Sequence, residues 1–365
     1  MLTKIRVAVI GCGYWGPNLI RNFNHCPRTD LIAACDANPE RLNRIGVQYP
    51  SLTLTRTVDE LLGLDVDAVA IATPVSTHYP LAKRCFEAGL HVLVEKPLAN
   101  SVAAAQAMVD LAAAYERVLM VDHTYLFGNP IRKVKELIDN DELGELNYID
   151  GVRINLGLFQ SDINVVWDLA PHDLSIMDTV VGQQAQGVSA YGCAHADQAI
   201  EDVAYLNLDF GNQLMANFHV NWLSPLKVRQ MIFAGKRRSL VFNELNQTEP
   251  IKVYDRGIDI SHDPDSQRRM QIGYHSGDIF SPRVEPGEAL QTMVAHFAEC
   301  IADGIACQSD GEMGLRVVRY LDAASRSIAN SGRRIAIGDT AIVFENPDFL
   351  SDPQQVNEQL STNIG

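Results

Sequence analysis

No apolar run in this 365-residue chain approaches the length that a membrane-crossing helix needs. The opening residues, MLTKIRVAVIG, enter a strand pattern at once, so no export leader is expected. Basic residues are the minority: 30 Lys and Arg against 45 Asp and Glu give a formal charge of −15. A chain of that sign is a poor partner for nucleic acid or an anionic membrane, and any anionic ligand must be held by a local group of donors. The seven cysteines are odd in number and none stands in C-x-x-C spacing. Most lie in apolar segments, as Cys35 and Cys193 do, so a reduced, cytoplasmic setting is expected. Internal repeats and low-complexity blocks are absent. What is there is 47% hydrophobic and 21% charged, the balance of a soluble globular protein, in a chain too long for one ordinary domain.

Residues 5 to 120 alternate short apolar runs with amphipathic patterns. IRVAVIG, DLIAACD, DAVAIAT and HVLVEKP read as strands, with VLMVDHTY a further one. YWGPNLIRNFNHC, NPERLNRIGVQY, THYPLAKRCFEAG and SVAAAQAMVDLAAAYE read as the helices between and after them. Continuous apolar strands alternating with helices imply an α/β domain, a parallel sheet covered on both faces. After Tyr125 the rhythm changes to a helix (NPIRKVKELIDND), a strand (ELNYIDGVRINLG), a second helix (PHDLSIMDTVVG), then strands in succession joined by FGNQ and AGKRR turns. The expectation is an α+β domain on an open, mainly antiparallel sheet. Residues 256–286 are polar with little periodicity and read as a long loop or an interface segment. The expected domains are 1–124, 125–345, and a polar tail, 346–365.

VAVIGCGYWGPNLI carries Gly11, Gly13 and Gly16 in G-x-G-x-x-G spacing between a strand and a helix. Gly11 permits a tight turn, Gly13 lets backbone approach a pyrophosphate, and Gly16 lets helix and strand pack closely. Phosphate charge then meets the positive end of the helix, whose first turn has no use for an N–H at Pro17. A glycine turn alone is weak, but Asp36 ends the second strand, where a carboxylate can bond a ribose diol. Asp36 repels a 2′-phosphate, so NAD is favoured over NADP; Arg41 softens that preference if it reaches the adenine ribose. Tyr14 and Trp15, inside the turn, join the cofactor set.

GLHVLVEKPLAN raises a separate question, because a buried strand there runs into Glu95-Lys96-Pro97. In an open parallel sheet ligands sit beyond the carboxyl ends of strands. Lys96 is at such an end and can donate to a substrate hydroxyl or carbonyl beside the nicotinamide. A cis Lys96–Pro97 bond would turn the chain and aim the lysine. A surface lysine followed by a strand-ending proline is the plain alternative. In WDLAPHDLSIMD, Asp168 and His172 are four apart and share a face on a helical turn. A carboxylate beside an imidazole suits a general base. Asp173 reads as a helix-start charge. A capping Asp/His pair is the alternative; a shared metal ion is a third, but no third ligand stands at suitable spacing and no metal is expected.

GCGYWG, DANPERL, ATPVSTH, EKPLA and WDLAPHD, in that order, resemble the Gfo/Idh/MocA oxidoreductases from residue 5 to about 340. The resemblance implies a Rossmann domain, a C-terminal open-sheet domain used for oligomerisation as dimer or tetramer, and NAD(P)-dependent oxidation or reduction at a sugar carbon. It implies Lys96 and His172 as the proton-handling pair, with Asp168 in support, and the cis Lys96–Pro97 bond. GYWGPNLIRNF, DHTYLFGNPIRKVKELI, VRINLGLFQSDINVVWDLAPHDLSI and FHVNWLSPLKVR are similar to the branch that oxidises the 3-hydroxyl of UDP-N-acetylglucosamine or its uronic acid, on routes to surface-polysaccharide amino sugars. A free sugar or polyol such as inositol is the alternative substrate, and a non-catalytic NAD-binding regulator the alternative of another class.

Thr73, Pro74 and His78 follow a strand end and are expected to line the cofactor, with helix capping the other role for His78. Glu95, Lys96 and Pro97 are grouped with them. His123 and Tyr125 open the link between domains and are candidates to face the nicotinamide side. Tyr125, Arg153, Asn155 and Gln160 join Lys96, Asp168 and His172 as candidate sugar or phosphate contacts; an ordinary sheet face is the alternative for the strand residues. Lys227, Arg229, Lys236, Arg237 and Arg238 read as a solvated strand edge, with a diphosphate or an oligomer contact the alternatives, and Trp167 and Trp222 as core.

Overall fold

The computed structural model describes residues 4–338 apart from 158, 161, 197–199 and 261–271. Two compact units emerge, Met1–Thr124 with Glu288–Val318, and Tyr125–Gly287 with Arg319–Asp339.

The first unit is built on six parallel strands: β1 (Ile5–Ile10), β2 (Thr29–Cys35), β3 (Thr53–Thr55), β4 (Ala68–Ile71), β5 (His91–Glu95) and β6 (Leu119–Asp122), in the order β3-β2-β1-β4-β5-β6. All four residues of β4 are buried, which is what a central strand covered on both faces requires. Between the strands run α1 (Gly16–His25), α2 (Pro39–Gln48), α3 (Val58–Leu62), α4 (His78–Glu87) and, after β5, α5 (Val102–Ala114). Caps set their starts: Asn38 accepts the amides of Glu40 and Arg41, and Ser101 that of Ala104. β3 and α3 are too short to write a period into the sequence, and the strand–helix reading did not contain them.

That reading placed 288–318 in the second domain, whereas it packs with the first. Helix α8 (Ala289–Asp303) lies on α1 and β1. Its buried Phe297 meets Phe23 edge-on at 6.4 Å, and Glu288 accepts Asn22 and Arg21. An amphipathic helix advertises that it has an apolar stripe, not which sheet will cover it.

The second unit holds α6 (Asn129–Asp139), β7 (Leu146–Leu156), α7 (Val165–Val181), β8 (Gly187–Cys193), β9 (Val203–Asp209), β10 (Met215–Asn221), β11 (Leu223–Gly235), β12 (Ser239–Asn243), β13 (Ile251–Ile260), β14 (Ile272–Phe280) and β15 (Ile335–Ala336). They form a nine-stranded sheet, β14-β13-β12-β11-β7-β10-β9-β8-β15, antiparallel except where β10 meets β7. Helix α7 packs on β7, β9 and β10. The last helix, α9 (Gly311–Ala329), is counted with the first unit as far as Val318.

Two expectations are corrected here. The polar stretch 256–286 is not one loop: β13 and β14 pair from Val253↔Phe280 to Ile260↔Ile272. Residues 276–280 are all exposed, so no buried face forced a period-2 pattern on them. Helix α7 starts not at Pro171 but at Val165, because Asn164 caps it by accepting the amides of Val166 and Trp167, each at 3.1 Å. The expected tail, 346–365, lies outside the described residues.

Candidate active site

In the first unit, Gly11 adopts φ +98°, a region open to glycine, and a Cβ there would sit 2.4 Å from the carbonyl oxygen of Ala72. A Cβ on Gly16 would lie 2.0 Å from the Gly11 oxygen. These two glycines therefore let β1, α1 and the end of β4 meet backbone to backbone. Gly13 is different: the nearest atom to its would-be Cβ is Arg41 Nη1 at 3.8 Å, so the space above it is open to a ligand. Asp36, 9% exposed, faces this turn, accepting the Cys12 amide at 2.7 Å and the Asn38 amide at 2.8 Å. Arg41 Nη1 is 3.9 Å from its carboxylate. An open glycine at the start of a ten-residue helix, with a carboxylate beside it, fits a dinucleotide: phosphate over Gly13, ribose at Asp36. Tyr14 is exposed, while the Trp15 indole donates to Asp122 at 2.8 Å.

At the carboxyl ends of β4 to β6, the Thr73 and Thr77 hydroxyls meet at 2.7 Å and Pro74 is exposed. His78 does not line this surface. It is 1% exposed, its ring nitrogens 3.0 Å from the Pro97 carbonyl and 2.9 Å from that of Thr73. It braces the β4 turn against the β5 turn, and burial holds its pKa below the ordinary histidine value. The Lys96–Pro97 bond is cis. Lys96 follows β5 half-buried. Glu95 stands opposite Asp122 in the β5–β6 register, and its Oε2 accepts the Lys96 amide at 3.0 Å. Burial, and then the Asp122 charge, raise the Glu95 carboxyl well above the usual range. His123 is 1% exposed and neither ring nitrogen has a partner among the described residues. Burial, then the Lys96 charge, push it down to about 3, so it stands there as neutral imidazole.

In the second unit, Asp168 falls in the first turn of α7, where the helix dipole favours a carboxylate, and accepts the Trp222 indole at 3.0 Å. His172, one turn on, is half-buried and meets the Tyr125 ring edge-to-face at 5.0 Å. Tyr125 is itself clamped. Its hydroxyl donates to Glu244 at 2.9 Å, and the Arg153 guanidinium lies 5.0 Å over its ring. Arg153, 2% exposed, bonds Asp173 at 2.7 and 3.1 Å and Glu244 at 2.9 Å. Arg229 reaches Glu244 at 2.6 Å. Burial alone would raise the Glu244 carboxyl, but Arg153 and Arg229 outweigh it and hold it below the ordinary value. Two arginines and two carboxylates thus cancel in a nearly dry site, the condition under which buried charge is tolerated.

Expectation and structure part company at several of these residues. Asp173 is no helix-start charge; it lies inside α7 as the partner of Arg153. Arg153 has its guanidinium engaged on both sides, so its place is behind Tyr125 and His172. Asn155 shares its strand face, and its buried Oδ1 has no hydrogen-bond partner among the described residues. Gln160 is exposed. Trp222 is core, as expected, and the Trp167 indole bonds Ser325 at 2.9 Å. Lys236, Arg237 and Arg238 pair at the surface with Glu145, Asp141 and Glu142. Glu244 was missed altogether. The AGKRR hairpin held the signal, since a register pairing Ala234 with Ser239 brings Glu244 opposite Arg229.

Comparison with known proteins agrees with this geometry. Residues 5–123 match the model of the oxidoreductase family with an NAD-binding Rossmann fold, and 131–241 match the GFO/IDH/MocA C-terminal domain. The UDP-N-acetylglucosamine 3-dehydrogenase of Acidithiobacillus ferrooxidans is 27% identical over 84% of this chain and 93% of its own. The inositol 2-dehydrogenase of Rhizobium meliloti is 24% identical over 91% of this chain and 99% of its own. Among solved structures, an Agrobacterium radiobacter oxidoreductase in complex with NAD+, L-tartaric acid and magnesium superposes with a TM-score of 0.76 at 22% identity, covering 92% of this chain and 99% of that one.

Proposed function

We propose, from the premise that the chain belongs to the GFO/IDH/MocA family of NAD-binding oxidoreductases, that it oxidises the 3-hydroxyl of a UDP-amino-sugar. As in its relatives, the reaction is that of an NAD(P)-dependent sugar dehydrogenase. Two observations, one in each unit, support the proposal: a lysine at the end of a strand in the parallel sheet of the first unit, and a histidine on α7 of the second, packed against Tyr125. The relative named UDP-N-acetylglucosamine 3-dehydrogenase supports the substrate class; a place in amino-sugar supply for surface polysaccharides is part of the proposal.

Bound NAD supplies the hydride acceptor. The Lys96 ammonium donates to the reacting oxygen and favours it most as negative charge grows there. His172 accepts the hydroxyl proton, and Asp168 supports the imidazolium that results. The proton leaves on His172 and the sugar carbon is left as a ketone, its hydride going to the acceptor that NAD would supply when bound. Asn155 Oδ1, a buried acceptor without a donor among the described residues, suits a second sugar hydroxyl.

The seven cysteines are free thiols, which suits a reducing, cytoplasmic setting. Among the described residues no helix is long and apolar enough to cross a membrane. The sheet presents exposed Tyr148, Tyr205 and Met215 on neighbouring strands, with Tyr205 stacked on His219 at 4.3 Å, and a second copy of this chain is the proposed partner for that surface.

A panel of UDP-N-acetylglucosamine, its uronic acid, free sugars and inositol, followed by NADH absorbance, tests the substrate. Turnover is expected with the nucleotide sugars. Turnover only with inositol or free sugars would replace the proposal by the second reading, which the inositol 2-dehydrogenase relative favours. Coenzyme binding without turnover on any of them would indicate a regulator instead.

A further inference from the structure

We propose that His296, Cys300 and Cys307 form a binding site for one soft divalent metal ion of the zinc class. His296 and Cys300 stand four residues apart on α8, so both project from one face a single turn apart. Gly304, in the left-handed conformation at φ 66°, ends that helix and turns the chain back. The return brings Cys307 alongside, and the three ligand atoms lie within 4.8 Å of one another. Cys300 Sγ is 3.4 Å from His296 Nε2. Ideal zinc bonds to sulfur and nitrogen put those two atoms about 3.5 Å apart around a tetrahedral ion, so the pair already stands at coordination distance.

The donor set selects the metal. Two thiolates and an imidazole suit zinc and are poor ligands for the hard, oxygen-seeking magnesium and calcium ions. Three protein ligands leave one tetrahedral position for water. Cys300 is buried while His296 and Cys307 are half-exposed, so an ion has a way in. The lone pair it needs on Nε2 now accepts the Gln308 amide at 3.0 Å, and that bond gives way on loading.

The site has a mechanical role in the first unit. Directly after Cys307, the Ser309 carbonyl accepts the Val121 amide at 2.8 Å, the Ser309 hydroxyl donates to the Val121 carbonyl at 2.6 Å, and Asp310 bridges to Met120. An ion clamping Cys307 to α8 therefore braces the segment that runs along β6, the strand that ends in Asp122 and leads into His123.

Titrating the reduced, metal-free full-length protein with Co2+ and then Zn2+ tests the proposal without reference to catalysis. One equivalent of Co2+ should produce thiolate-to-cobalt charge-transfer bands with tetrahedral visible absorption, and Zn2+ should bleach them. Cys307→Ser should lose the charge-transfer intensity while its circular dichroism matches the parent, and Zn2+ should raise the melting temperature of the parent only. Absence of thiolate bands, bands that survive in the Cys300→Ser/Cys307→Ser double variant, or a Cys300–Cys307 disulfide forming in place of metal uptake under the same reductant would each overturn it.

Discussion

Glu95 and the turn glycines show how single residues carry the first unit. The Glu95 carboxyl is raised by burial and by Asp122, so the folded state holds its proton more tightly than the unfolded chain does. The linkage sign follows: its stabilising contribution is complete below the ordinary carboxyl pKa of about 4.5 and is lost as pH rises through the raised folded value. Glu95→Gln copies the protonated acid and is expected to melt above the parent by a margin that widens as pH increases, measured by melting temperature against pH. His123 has the opposite sign. Its pKa of about 3 means that stability is withdrawn as pH falls below the ordinary histidine value. The glycines separate packing from binding. Gly16→Ala drives a methyl into the Gly11 carbonyl and should cost the apo protein about 1–3 kcal/mol by chemical denaturation. Gly13→Ala meets nothing closer than 3.8 Å, so apo stability should hold while NAD affinity, measured by calorimetry, falls.

At the scale of elements, α7 and the β11–β12 hairpin make one device. The hairpin register brings Arg229 and Glu244 together; Glu244 holds Tyr125, and Tyr125 packs against His172. Glu244→Gln keeps the shape and removes one of the two charges that balance the arginines. It is expected to lower kcat with little change in KM and to move the pH dependence of kcat, because His172 is less firmly oriented. Unchanged kcat and pH profile would remove Glu244 from the catalytic device. Apart from β3 and α3, the strands and helices of the first unit were legible because each writes a period or an unbroken apolar run. Helix α7 was misjudged at its start because Pro171 looks like a first-turn proline, when Asn164 is the cap. The Asp168/His172 spacing was legible too. The ion pairs behind it were not, because Arg153, Asp173 and Glu244 meet only once three separate elements are packed.

For the whole molecule, the family and the plan of two sheets were legible in sequence order, without β3 and β14; the return of 288–318 to the first unit was not, since it depends on which surface covers α8. A second copy of this chain is the proposed cover for the exposed aromatic patch on the large sheet. Tyr205→Glu is expected to shift the mass found by light scattering toward the monomer without changing the melting curve of the monomer itself. The most direct measurement of the central claim uses UDP-N-acetylglucosamine deuterated at C3, with NAD+ and the full-length enzyme. Deuterium should appear on the nicotinamide with a slowed rate, and His172→Ala should abolish the transfer. Unlabelled NADH, or transfer that persists in His172→Ala, would contradict hydride removal from that carbon or the histidine's part in it.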